Sequence, residues 1–210
     1  MVTLQNITKR FKAGKTIFSG LNFQFNEGEM VGLIGPNGSG KTTFLRLLSV
    51  NSFPTEGEVH YDGINIHKTP QKYLKYVGLV HDEESLPVHL SAVELLEWIL
   101  RSRDLWNSES EPAINKLFDR LALGEDRYQQ IGTYSTGMKK KTQIAAAFIV
   151  NPSVLIMDEP MRGLDRAARD IVYEMIIEAK KSKAVVLIAS HTIDRDSAEF
   201  DTIIDFPIDE

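Results

Sequence analysis

The chain has 210 residues, a net charge of −5, 42% apolar and 25% charged side chains, and no cysteine. That profile fits a soluble globular protein of about one α/β domain, and the missing thiols suit a reducing cytoplasm. It excludes disulfides, a thiolate zinc site and a thiol nucleophile, and it supplies no basic field for nucleic acid.

No apolar run approaches the roughly 18 residues of a membrane span, so a partner must hold the chain at any membrane it serves. The N-terminus lacks a basic segment followed by an apolar one, and no signal peptide is expected. Residues 2–7 alternate apolar and polar side chains, as do residues 22–25, and the two segments are expected to pair antiparallel. Between them lies Lys9-Arg10-Phe11-Lys12. An exposed aromatic there can stack on a base, although a phenylalanine taken alone is more often ordinary packing.

Residues 30–34 form a short apolar run of buried-strand length, and residues 43–48 have helical spacing. Between them stands Gly35-Pro36-Asn37-Gly38-Ser39-Gly40-Lys41-Thr42. It reads as G-x-x-x-x-G-K-T, the phosphate-cradling P-loop, in the strand–loop–helix context that this motif requires. Its glycines allow backbone N–H groups to turn inward, and the helix N-terminus adds its positive dipole end. Lys41 can reach β- and γ-phosphate oxygens, and the Thr42 hydroxyl can ligate Mg2+.

Residues 59–66 read as a hairpin around Asp62-Gly63. Residues 76–80 form a second buried-strand candidate that runs into the acidic loop His81-Asp82-Glu83-Glu84. Two amphipathic stretches follow, residues 93–100 and a run carrying Ile114, Leu117, Phe118 and Leu121 at helical spacing. This strand-free segment reads as a helical insertion. Tyr134-Ser135-Thr136-Gly137-Met138 then opens another helix, with Ser135 or Thr136 placed to cap it. The lysine triplet at 139–141 is expected to favour anions at that helix start.

Residues 153–157 form an apolar strand closed by Asp158-Glu159-Pro160. Open α/β sheets bind ligands at such C-terminal strand edges. Paired with the P-loop, Asp158 is a candidate Mg2+ ligand through water, and Glu159 a candidate to polarise an attacking water. Residues 184–189 give a further strand that delivers Ser190-His191 to the same edge. Residues 203–206 alternate like an edge strand.

The order of P-loop, acidic loop, Tyr-Ser-Thr-Gly-Met, Leu-Ile-Met-Asp-Glu-Pro, Gly163-Leu164-Asp165 and Ser190-His191 resembles an ATP-binding cassette ATPase over nearly the whole chain. The resemblance implies one α/β domain with a P-loop NTPase core. That domain carries a parallel-rich sheet, an N-terminal antiparallel β region and a helical subdomain inserted at about residues 85–150. It implies ATP and Mg2+ as ligands, with ATP held by Gly35 through Thr43 and Phe11 stacked on adenine. Ser135, Thr136, Gly137 and Met138 match the family signature, which reaches the ATP of a second subunit in a head-to-tail dimer. Thr42 and Asp158 serve the metal, Glu159 and His191 catalysis, and Asp82 and Asp165 the coupling and dimer loops.

Departures refine that picture. Asp82 stands where many members carry glutamine, and Ser-x-Gly-Met replaces Ser-Gly-Gly-Gln. Both are similar to export-type cassettes whose membrane subunit is a separate chain. Lys141 replaces an arginine, and the chain stops soon after the switch histidine. The resemblance therefore implies a cytoplasmic ATPase at the inner face of the cell membrane, pairing with itself or a paralogue and powering a separate permease for export. A soluble cassette that clamps or assembles macromolecules is the alternative.

Overall fold

The computed structural model describes residues 1–11, 14–83, 85–191 and 199–208. Strands β1 (Val2–Arg10) and β2 (Thr16–Phe25) pair antiparallel, with Val2 opposite Phe25. Strand β4 (Glu56–Tyr61) joins the other side of β1, and β5 (Ile64–Asn65) folds back on β4. The β4–β5 turn is Asp62-Gly63, both at positive φ (47° and 79°). A two-residue hairpin turn that follows strand twist needs that conformation. The alternation legible in residues 2–7 and 22–25 thus becomes a four-stranded antiparallel sheet of order β2-β1-β4-β5.

A second sheet is parallel throughout. It comprises β6 (Val77–Val80), β7 (Val154–Asp158), β8 (Val185–Ala189), β3 (Met30–Ile34) and β9 (Thr202–Asp205), in that order. Every residue of β7 and β8 is buried. Strands covered on both faces read as continuous apolar runs, which is why these lack alternation in sequence. Helices α1 (Lys41–Leu48), α2 (Pro70–Leu74), α3 (Ala92–Ser102), α4 (Ser110–Arg120), α5 (Thr136–Phe148) and α6 (Arg166–Lys181) supply the cover. The segment between β6 and β7 holds α3, α4 and α5 and two short 3-10 turns. A reciprocal capping box, Ser91 with Glu94, starts α3.

The two-residue period of each strand sorts its side chains into two cores. Met30, Leu155, Met157, Val186 and Ile188 join the core packed by α3 to α6. Val31, Leu33, Val154, Ile156, Val185 and Leu187 join the opposite one, with α1 and the antiparallel sheet. Phe44 of α1 anchors that second core. It is fully buried and makes edge contacts with Phe18, Phe23, Phe25 and Phe206. Truncating such a ring to alanine costs about 3–5 kcal/mol, so the helix behind the P-loop is fixed by packing.

Parallel register brings the C-terminal ends of the central strands together. Leu33 and Asp158 both pair with Ala189, and Val80 pairs with Met157. The loops that follow β3, β6, β7 and β8 therefore share one edge of the sheet.

Candidate functional site

The P-loop is wrapped by backbone geometry that only glycine accepts. Gly35 has φ 155°, and a Cβ there would collide with the Phe206 carbonyl. Gly40, the residue before α1, has φ 113°, and its Cβ would meet Ile17 Cγ2 at 2.8 Å. Both are glycine territory. Lys41 is buried, and its Nζ donates to the carbonyls of Gly35 (2.7 Å) and Pro36 (3.0 Å). The Ser39 hydroxyl oxygen is enclosed without a hydrogen-bond partner. A buried polar atom of that kind fits an anionic ligand lying in the loop.

The Thr42 hydroxyl donates to Asp158 Oδ2 at 2.7 Å. This joins the P-loop to the end of β7, across 116 positions of chain. Burial raises the Asp158 pKa above its ordinary value, the charges of Asp82 and Glu159 add to the rise, and the Thr42 hydrogen bond opposes it. A hydroxyl and a carboxylate side by side are hard oxygen donors, the set that a small divalent cation prefers.

Glu159 occupies the left-handed region at φ 48°, which costs a non-glycine residue conformational energy. Its N–H donates to the Ala189 carbonyl at 2.9 Å. Its carboxylate is turned toward the end of β8. There Oε2 accepts from Ser190 Oγ (2.9 Å), and Oε1 from the His191 backbone N–H (2.9 Å), with His191 Nδ1 at 2.7 Å.

These groups border a cleft of about 330 Å³. Phe11, Lys15 and Ile17 form one wall, the P-loop the floor, and Asp82, Asp158 and Glu159 the far side. Phe11 is exposed, with Lys9 Nζ 5.6 Å from its ring centroid. It is not in the core, so the ordinary-packing reading of Phe11 falls away. A groove of about 450 Å³ adjoins the cleft and shares Thr42, Asp82 and Asp158 with it.

The residues that resemble the family signature lie elsewhere. Ser135 caps α5 by accepting from Met138 N–H at 3.3 Å, and Ser135 and Thr136 are exposed. Ser135, Thr136, Gly137 and Met138 do not line the cleft. Asp165 caps α6 by accepting from Ala168 N–H at 2.8 Å.

The family model for ABC transporters matches residues 18–162. The chain belongs to that family. It is 30% identical over 208 residues to the ABC transporter ATP-binding protein NatA of Bacillus subtilis (strain 168), covering 97% of this chain and 85% of NatA. It is 32% identical over 191 residues to the linearmycin resistance ATP-binding protein LnrL of the same organism, covering 91% of this chain and 61% of LnrL. Among solved structures, a dimeric ATP-binding cassette in a post-hydrolysis state bound to ADP and Pi is similar at TM-score 0.85. That match has 27% identity and covers 98% of this chain and 94% of the cassette. The fold is thus that of an ABC ATP-binding subunit, a family of dimerising, transport-linked ATPases.

Within this ABC cassette one sequence expectation is corrected. Lys140, the middle of the lysine triplet, is fully buried, with its ammonium engaged by the acidic loop. Its Nζ donates to the carbonyls of His81 (2.8 Å) and Asp82 (3.2 Å), and Gln143 Nε2 donates to the Glu83 carbonyl (3.1 Å). Helix α5 therefore pins the backbone of the acidic loop. Sequence reasoning also missed Arg162, whose Nη1 donates to Asp82 Oδ1 at 2.5 Å. Both contacts are long-range, and neither has a local sequence signal. Of the acidic loop, Glu84 lies outside the described residues.

Proposed function

We propose that the chain binds and hydrolyses ATP as the engine subunit of a transporter whose permease is another chain, working at the inner face of the cell membrane in the direction of export. The observation that carries this reading is the meeting, at one sheet edge, of the P-loop with the Thr42–Asp158 and Glu159–His191 pairs. Residues 85–150 act within it as a helical subdomain of a single cassette.

In this reading Lys41 exchanges the Gly35 and Pro36 carbonyls for phosphate oxygens, and the P-loop N–H groups and Ser39 hydroxyl complete the cradle. Thr42 and Asp158 would hold Mg2+, which neutralises developing phosphate charge. Phe11 offers its face to the base. Glu159 accepts a proton from the attacking water, and Ser190 and His191 fix its carboxylate for that task. Ser135 to Met138 are exposed outside their own cleft, where a second subunit's ATP can meet them. Closing of two subunits over two ATP molecules and release after hydrolysis follow the order-and-release logic of other nucleotide switches.

Export is supported by the resistance role in the name of LnrL and by the acidic loop. The 450 Å³ groove beside Asp82 is the surface offered to the permease. No helix among the described residues is long and apolar enough to cross a membrane, which fits a permease supplied separately. Steady-state phosphate release tests the assignment. Turnover by the wild type and near-complete loss in Lys41→Ala are expected, and wild-type turnover in the variant would overturn it.

A further inference from the structure

Two charged side chains that the phosphate machinery does not absorb meet at the rim of the cleft. Asp82 follows β6 and lines both the nucleotide cleft and the adjoining groove. Arg162 lies in the turn after β7 and donates to Asp82 across 80 positions of chain. Its side chain is 62% exposed and that of Asp82 37%. Exposed ion pairs are commonly worth little, because ordering two long side chains offsets the attraction. Here both backbones are already anchored. Lys140 and Gln143 hold the carbonyls of residues 81–83 from behind, and Arg162 N–H donates to the Glu159 carbonyl at 3.2 Å.

The setting gives the pair a consequence. The cleft is lined by three carboxylates, Asp82, Asp158 and Glu159, against the cations of Lys15 and Lys41. Asp158 is bonded to Thr42, and Glu159 to Ser190 and His191. The charge of Asp82 is met by a guanidinium that stands outside the lining itself. A polyphosphate brings several further negative charges into the same space, where repulsion is only partly screened.

We propose that Arg162 is a positioning residue for nucleotide binding: by holding the Asp82 carboxylate in an ion pair at the rim, it lets the cleft accept a polyphosphate that the bare carboxylate would repel. The inference rests on the reading of this cleft as the ATP site. It predicts an effect that grows with ligand charge and shrinks with salt.

The test is calorimetric titration of the full chain with ATP and ADP in the presence of a metal chelator, at low and high salt. Arg162→Ala should weaken ATP binding about fivefold at low salt, the upper range for such a pair, and ADP binding less. In an Asp82→Asn background the same substitution should change ATP affinity by less than about twofold. Arg162→Lys should recover most of the loss, and thermal melts establish that each variant is folded. Unchanged ATP affinity in Arg162→Ala, or an equal loss in both backgrounds, would overturn the inference alone. A wild-type chain that binds neither ATP nor ADP would overturn the nucleotide reading and this inference with it.

Discussion

His191 approaches Glu159 twice, with its backbone N–H 2.9 Å and its ring Nδ1 2.7 Å from the same carboxylate oxygen. A carboxylate accepts, so Nδ1 carries the proton in this contact. His191 is 59% exposed at the side chain and Glu159 only 15%. An exposed imidazole is thus bonded to a sheltered carboxylate. Removing it leaves the carboxylate held by Ser190 and the residue-191 N–H alone, and so less firmly oriented. His191→Ala is expected to lower kcat by on the order of 10²-fold with little change in KM, measured by steady-state phosphate release. A rise in KM at unchanged kcat would instead make His191 a binding residue.

Asp158 illustrates a site maintained at the expense of stability. Its pKa is raised, chiefly by burial and then by the charges of Asp82 and Glu159. With the folded pKa above the unfolded one, the contribution to stability is complete below the unfolded pKa and is lost as pH rises through the folded one. At neutral pH the native chain carries that cost. Asp158→Asn should therefore raise the melting temperature of the nucleotide-free chain, and the gain should fade as pH is lowered. The same variant should lose Mg2+-dependent nucleotide affinity. Thermal melts across pH, with and without Mg-ATP, read both effects.

Lys140 is a buried cation whose reach spans two elements. Methionine retains its aliphatic stem but offers no donor, and the carbonyls of His81 and Asp82 then lose that bond. Lys140→Met should destabilise the chain by about 1–3 kcal/mol, measured by urea unfolding. A variant as stable as the wild type would show that the acidic loop does not depend on α5.

The fold was largely legible because its signals are local. The glycine spacing of residues 35–42, the apolar runs at β7 and β8 and the Asp62-Gly63 turn each carry their own geometry. The cleft residues could be named because parallel strands deliver their C-terminal ends to one edge. What stayed hidden needed long-range contact. The exposure of Phe11 depends on tertiary packing, and nothing in the triplet 139–141 marks Lys140 as the fully buried one. The Asp82–Arg162 pair joins turns whose separation in sequence says nothing about distance. The left-handed conformation of Glu159 has no residue-type signal, since the position is not glycine.

We propose that ATP closes a dimer of this chain and that Glu159 ends the closed state. Glu159→Gln keeps the side-chain shape but removes the proton acceptor, so turnover should fall by roughly 10²–10⁴-fold. Lys41, Thr42 and Asp158 are untouched, and one negative charge leaves the cleft, so binding should persist. The direct measurement is size-exclusion chromatography of Glu159→Gln in Mg-ATP and in Mg-ADP. A dimer in Mg-ATP and a monomer in Mg-ADP is the expected result. Identical elution in the two nucleotides, together with wild-type turnover, would contradict the account.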